Sequence, residues 1–378
     1  MIKWLFKYGA VIFLFNTVLL SIKATYSIGN QIFLALMGVF LFVLLINPKQ
    51  IKAILFHKAF FFLLIINLVN LLYFVFFHTI TDYEAVKYMM ARGIQFSIIS
   101  ISICFHYEYY KDRFLYHLVY LIFGIVVVGV LFNPYVFSGR YSGIIWNPNM
   151  FSSFVVIAFA IHFLKYEKRT NLDYFILIIL FVAALASGSR GVLVAFFLVF
   201  LLKYGFSLRN VMYGIITLIF TVVILSIDLD TSLNRFAEQS MFNDRTLQFE
   251  YAYKSIQHKL FTGFGLDKYS YIDKSLVPLH LKGKVIGAHN GYLAILTQYG
   301  IIFGGIIIFL IFKKSHEAYS FFRNTKDFER VYLFIIIYTL TASLYETLMT
   351  GINEFNTILF WFSLAILSYS KFLKENES

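Results

Sequence analysis

Four arginines and one histidine stand out by residue type and setting. Arg140 sits in Gly139-Arg-Tyr-Ser-Gly143, just ahead of Trp146-Asn147-Pro148-Asn149. Arg190 sits in Ser187-Gly-Ser-Arg-Gly191, at the junction of two apolar runs. Arg235 and Arg245 lie in a polar stretch, and His289-Asn290 opens a further apolar run. A guanidinium offers a planar fork of donors that matches phosphate oxygens bidentately, and it does not lose its charge. A neutral imidazole can take a proton from a hydroxyl near physiological pH, which suits a general base. The pattern fits a diphosphate or another polyanion held beside a hydroxyl that must be activated. His289 is then the catalytic candidate; Arg190, Arg245, Arg140, Arg235 and Asn290 are the substrate-binding candidates. No His, Cys or Asp cluster has metal-ligand spacing, so neither a metal nor a cofactor is expected.

Each residue also has a plainer reading. Arg190 would anchor a helix end by snorkelling, although only small residues flank it. Those residues let a ligand approach the backbone, and the N–H groups opening the next helix suit an anion. Arg140 would be a solvated loop charge. Arg235 and Arg245 would pair with Asp228, Asp230 or Glu238. His289 would be an interfacial histidine bonded within the bundle. Arg92 lies about a turn inside an apolar run and either joins the same cavity or snorkels. Glu346 and Glu354 flank the last turn and read as solvated, with pairing to the arginines as the alternative.

The elements that must position these groups follow from composition. The chain has 378 residues, 60% hydrophobic and only 14% charged, against about 25% charged for a soluble domain. Its mean hydropathy is +0.76. With 46 Phe, 4 Pro and a single Cys, soluble globular, disordered, collagen-like and disulfide-rich classes are excluded. The remaining class is an all-α polytopic membrane protein. Cys104 has no intrachain partner, so cysteine usage does not reveal the compartment. The apolar runs are continuous rather than alternating, which argues against a β-barrel.

A spanning helix needs roughly 20 mostly apolar residues. About twelve such segments are expected, near 4–22, 28–47, 59–78, 88–106, 115–133, 149–164, 172–187, 190–204, 209–227, 290–312, 331–349 and 353–370. The first reads as a retained helix, since no small-residue cleavage site follows it. With the N-terminus in the cytoplasm, 19 of the 32 Lys and Arg fall in inner segments. Only Lys23, Lys87, Arg140 and Arg190 fall in short outer loops, so positive charge places both termini inside. The net charge of +12 is then that bias plus contact with anionic membrane lipid, and no nucleic-acid module is visible.

Residues 1–378 read as one integral membrane domain. Within it, 228–289 forms a long structured outer loop. A short amphipathic helix is expected from Asn243-Asp244 to about His258, with Leu247, Tyr251 and Ile256 facing the membrane or bundle. Gly263 and Gly265 would stop it.

These motifs resemble the shared domain of the O-antigen ligase and O-antigen polymerase superfamily. Ser187-Gly-Ser-Arg-Gly191 is similar to the start of that domain. Asn243-Asp-Arg-Thr-Leu247, Phe261-Thr-Gly-Phe-Gly265, and Ala288-His-Asn-Gly-Tyr-Leu293 followed by Gly300 match its later motifs. Arg140-Tyr-Ser-Gly143 with Asn147-Pro-Asn149 resembles the family's upstream outer loop. The motifs cover about 135–312, and the twelve-span layout covers the whole chain. Two departures stand out. The ligase branch has a glycine three residues after the position of Gly300, where this chain has Phe303 and then Gly304. The arginine–glycine spacing of some polymerases is missed by one residue at Gly205.

The resemblance implies transfer of a glycan from a polyprenyl-diphosphate carrier on the outer face of the bacterial cytoplasmic membrane. Transfer to the acceptor hydroxyl goes with inversion and without a metal. It implies His289 as the base, Arg190 and Arg245 as diphosphate ligands, and Arg140 and Arg235 in support. Polymerases extend another lipid-linked repeat unit, while ligases transfer to the lipid A core. We read the chain as a polysaccharide (O-antigen or capsule) polymerase ahead of a ligase. A transporter or flippase of lipid-linked sugars is the reading from a different class. It would call for repeated halves and charges near the bilayer midplane. A purely structural or regulatory protein would show no convergence of Arg190, Arg245 and His289.

Overall fold

A computed structural model describes residues 2–165, 169–205, 207–225 and 243–377. The described residues form helices α1 (Ile2–Ser21), α2 (Tyr26–Ile46), α3 (Pro48–Leu55), α4 (Phe61–Phe77), α5 (Tyr83–Asp112), α6 (Phe114–Phe132) and α7 (Pro148–Lys165). They continue with α8 (Asn171–Ala186), α9 (Gly191–Tyr204), α10 (Leu208–Leu225), α11 (Asn243–His258), α12 (Gly291–Phe322), α13 (Glu329–Ala342) and α14 (Phe355–Glu377). One isolated bridge, Ile22 to Ile145, is the sole β pairing among them.

Helices α1, α2, α5, α6, α7, α12 and α14 are long and apolar enough to cross a membrane, and α4, α8 and α9 are shorter apolar helices. The chain is therefore a multi-pass membrane protein. Ten of the twelve apolar segments read from the sequence correspond to one of these helices; those near 209–227 and 331–349 hold α10 and α13, which are not among the candidate spans. Two details differ. The connector helix α3, with Pro48 at its first turn, was not expected. The segment near 331–349 is helical only to Ala342; its last residues turn back as a loop, for reasons given below.

Helices α5, α13 and α14 form the centre. Nearly every residue of α13 is buried, whereas most of α2 is exposed at the rim. Phenylalanine and tyrosine fill the interior: Phe96 lies edge-on to Trp361 with centroids 5.0 Å apart, and Phe154 lies edge-on to Phe355 at 4.2 Å. Such pairs contribute about 0.5–1.5 kcal/mol beyond the area they bury. Local signals set the helix starts. Thr170 and Asp173 form a reciprocal capping box at α8. Asp82 accepts from the Ala85 N–H at the start of α5.

Residues 243–289 have a small core of their own, built from Tyr251, Ala252, Ile272, Val277, Val285 and Ala288, which continues onto Ala294 of α12. This segment is joined to the bundle through backbone. Gly300 has φ 70°, ψ 177° and breaks α12. In an unbroken helix the Thr297 carbonyl would accept from the Ile301 N–H. Instead Thr297 O accepts from Phe264 N at 2.9 Å, and Ile301 N donates to Leu260 O at 2.7 Å. Gln298 O accepts from Gly265 N at 3.1 Å and from the Tyr73 hydroxyl at 2.9 Å. The turn after α11 and Tyr73 thus supply partners for Thr297 O, Gln298 O and Ile301 N at the break.

This splice requires glycine on both sides. A Cβ on Gly263 would lie 2.4 Å from Gln298 O, and one on Gly300 would lie 2.4 Å from Phe261 O. The helix α11 stops at His258, before the glycines, because their positive φ (64° at Gly263, 121° at Gly265) builds the docking turn itself. The shifted glycine also has a local reason. Phe303 packs edge-on against Tyr73, while a Cβ on Gly304 would meet Ile295 O at 3.2 Å across the break.

Replacing Gly300 by Ala is expected to destabilise the detergent-purified protein by about 2 kcal/mol or more, since backbone strain adds to an irreducible contact. Gly38→Ala, where nothing lies within 4 Å, is expected to be neutral. Thermal unfolding of the two variants checks this.

Candidate functional site

Four local structures meet at one end of the bundle. The first is the start of α12. The Asn290 side-chain oxygen accepts from the Tyr292 and Leu293 N–H groups, both at 3.0 Å. Its amide donates to Leu344 O at 3.0 Å, and Gly291 N donates to Ser343 O at 2.7 Å. These bonds tie the start of α12 to the end of α13 and fix His289, which sits at φ 40°. A non-glycine residue held there is strained, a condition that clusters at functional sites.

The second is the start of α7. Pro148 occupies the first helical position, and the Asn147 side chain accepts from the Asn149 N–H at 2.8 Å. The Asn147-Pro-Asn149 motif is therefore a helix cap that aims Asn149 at the site. Arg140 donates to the Asn149 side-chain oxygen. The loop bearing Arg140 is held by Tyr141 N donating to Ala186 O at 3.0 Å.

The third is the junction of α8 and α9. Gly188 adopts φ 59°, and Ser189 N donates to the Ser187 hydroxyl at 3.2 Å. Arg190 is half-buried as the N-cap residue of α9. Gly191 follows directly against Tyr345, whose hydroxyl a Cβ there would meet at 2.7 Å. The fourth is the first turn of α11, which carries Arg245.

Glu346 joins them. Its Oε1 accepts from Arg245 at 3.1 Å and from the Asn149 amide at 2.8 Å. Its Oε2 lies 3.6 Å from His289 Nδ1. Tyr345 lies beneath Arg245, with the guanidinium 5.5 Å from the ring centroid. Burial pushes the Tyr345 hydroxyl well above the usual tyrosine range, so it stays a neutral phenol. The side chains of Arg245, His289 and Glu346 remain a fifth to a third exposed, so the cluster is open to a ligand.

Of the residues singled out in the sequence, Arg140, Arg245 and His289 converge on Glu346 directly or through Asn149. Arg190 stands one residue from Gly191, on the Tyr345 side of the cluster, and Asn290 holds the backbone around it. Arg235 lies outside the described residues. Arg92 does not snorkel: it is buried and donates to the Thr350 and Gly351 carbonyls at 2.7 and 3.2 Å. Glu346 is the hub rather than a solvated acid, and Glu354 accepts from the Thr357 hydroxyl at 3.1 Å. The signal for Glu346 was a lone acid in Ser-Leu-Tyr-Glu between two apolar segments, and only folding shows what it faces. Tyr345 carried no comparable signal.

Chemically, the arginines named here outnumber the one carboxylate, so the cluster favours an anion. A carboxylate near Nδ1 favours the tautomer protonated there and leaves Nε2 as the basic nitrogen of His289. Apo distances of this kind tighten when substrate binds.

Residues 175–310 match a family model described as O-antigen ligase. The matched stretch includes Arg190, Arg245, His289 and Asn290; Arg140 and Glu346 lie on either side of it. No curated protein matches the chain.

Because the Arg245–Glu346 pair is partly exposed, its coupling is expected to be about 0.5–1 kcal/mol. A double-mutant cycle of Arg245→Gln and Glu346→Gln, followed by thermal unfolding, measures it.

Proposed function

Taking residues 175–310 as a domain of the O-antigen ligase and polymerase superfamily, we propose that the protein transfers a glycan from a polyprenyl-diphosphate carrier to an acceptor hydroxyl. The site would lie on the outer face of the bacterial cytoplasmic membrane, with both termini inside. The scarcity of Lys and Arg in the short loops on the site side supports that orientation. The observation that carries the proposal is the meeting of Arg245, His289 and the Arg140–Asn149 pair at one carboxylate.

In this reading Arg190 and Arg245 bind the diphosphate, with Arg140 and Arg235 adding to the positive field. His289 removes the proton from the acceptor hydroxyl. The resulting oxygen nucleophile attacks the anomeric carbon, and the bond from that carbon to the diphosphate oxygen breaks. The electron pair leaves with the diphosphate, and the anomeric configuration inverts. Glu346 offsets the positive charge that His289 acquires. Because the diphosphate is already a good leaving group, the protein's task is placement and stabilisation of developing charge. The chain's own residues suffice for this chemistry, which asks for no metal.

We read the acceptor as another lipid-linked repeat unit, which makes the protein a polymerase. The second reading is a ligase that uses the lipid A core; the matched family model, described as O-antigen ligase, fits either reading. The glycan pattern of a deletion strain separates them. Loss of every ladder rung above one repeat marks a polymerase, and full-length glycan stranded on its carrier marks a ligase.

His289→Ala is expected to abolish elongation or attachment while the protein still inserts; normal surface glycan in that strain removes the base assignment. Arg190→Lys is expected to be nearly as damaging as Arg190→Ala, at roughly a hundredfold or about 3 kcal/mol, because a point charge does not replace the fork. Full activity of the lysine variant overturns bidentate phosphate binding.

A further inference from the structure

The loop 343–354 between α13 and α14 runs from the Glu346 cluster into the bundle interior. Its backbone is not helical, yet Met349, Thr350, Gly351 and Ile352 are buried. Irregular backbone at such depth is stable only where side chains or other protein groups satisfy it. Here side chains from three helices do so. Asn290, at the N-cap of α12, donates to Leu344 O at 3.0 Å. From α14, Thr357 donates to Leu348 O at 2.8 Å, and the Trp361 indole donates to Met349 O at 3.4 Å.

The deepest part of the loop is held by α5. The Tyr88 hydroxyl donates to Thr350 O at 2.9 Å, Arg92 donates to Thr350 O and Gly351 O, and Gln95 donates to Ile352 O. Arg92 is only 3% exposed. It lies between the Tyr88 and Phe96 rings, 5.6 and 5.5 Å from their centroids, and Glu354 is within its electrostatic reach. A buried guanidinium is costly unless it is fully engaged. A loop needing only packing would be served by neutral donors such as Tyr88 and Gln95. A single terminal nitrogen, Nη2, donates to both successive carbonyls, so one charged group holds the backbone at that depth.

We infer that Arg92 is a positioning residue for the proposed transfer: by gripping the Thr350 and Gly351 carbonyls from α5, it sets the loop that presents Glu346 to His289 and Arg245. It touches neither the donor nor the acceptor. This inference rests on the glycan-transfer reading for its kinetic part and on the loop geometry alone for the rest.

The test uses the full chain in membranes of the producing strain, with that strain's own lipid-linked glycan as donor. Arg92→Met is expected to lower kcat by about tenfold or more while leaving the donor KM within about twofold. Arg92→Lys is expected to recover part of the rate, because an ammonium keeps the charge but sits on a shorter side chain with different geometry. Amide exchange across 343–352 is expected to rise about tenfold in Arg92→Met and to stay unchanged in Glu346→Gln. A raised KM with unchanged kcat makes Arg92 a substrate ligand and overturns the inference, as does unchanged loop exchange in the methionine variant. If Arg92→Met fails to insert, Arg92→Lys and Tyr88→Phe carry the same comparison, with smaller changes in the same direction; loop exchange at the unsubstituted rate in both overturns the inference. Failure of the transfer reading is seen separately, as undiminished glycan transfer in membranes of the deletion strain, and leaves the exchange result standing.

Discussion

The Glu346 carboxylate is the constraint on which the candidate site depends. Among the described side chains that meet there it is the one negative group, and it binds Arg245 and Asn149 while facing His289. Groups of like charge do not gather unaided. Two guanidiniums, those of Arg245 and Arg140, repel one another unless a counter-charge sits between them. Glu346 supplies that charge before any ligand arrives, yet it does not neutralise the cluster. The empty site is therefore stable enough to hold its shape and still favours an anion. Partial exposure of the same side chains keeps the balance modest and lets an incoming diphosphate compete for the arginines.

A second constraint is that the site is assembled by backbone splices rather than by side-chain packing alone. The break at Gly300 exchanges helix bonds for bonds to the turn at 260–265, and the start of α12 bonds to the end of α13 through Gly291 and Asn290. Arg245 reaches the cluster because α11 leads into the first splice. Glu346 reaches it because α13 ends at the second. Hydrogen bonds of this kind set distances more strictly than apolar contacts do, since the bonds fail beyond a few tenths of an ångström. Glycines recur in the motifs because backbone must touch backbone there, leaving no room for a Cβ.

Much of the fold was legible in the sequence. Apolar length and continuity located the helices, since a bilayer demands both. Asn290 marked the start of α12, because a short polar side chain ahead of an apolar run suits a cap, whereas the caps at Asp82 and Thr170 came from the structure. The end of α13 was not legible: residues 343–349 read as a continuation of the apolar segment, yet they leave the helix, with donors at the start of α12 and on α14 bonding their carbonyls. That is a tertiary effect with no local signature. The same holds for the site. Arg190, Arg140 and His289 announced themselves by sitting near the ends of apolar segments beside glycine or other small residues, and Arg245 by its place at the start of an expected helix. Glu346 and Arg92 were not settled by local sequence, one resembling a solvated acid and the other fitting either a shared cavity or a snorkelling position, because partners such as Asn149 and Thr350 lie far away in the chain.

The two misread residues belong to one arrangement. Glu346 lies near the open end of the 343–354 loop, and Arg92 grips its buried end. A helix running on through 343–349 would aim its side chains by a fixed 100° step and keep its carbonyls to itself. Turning the chain back instead frees those carbonyls, and α5 then becomes able to fix the loop by charge-assisted bonds that a lipid-facing helix has no reason to offer. The buried arginine is thus explained by the shape the acid requires. A carboxylate placed between cations must be held against their pull, and that pull is opposed from the opposite end of its own loop.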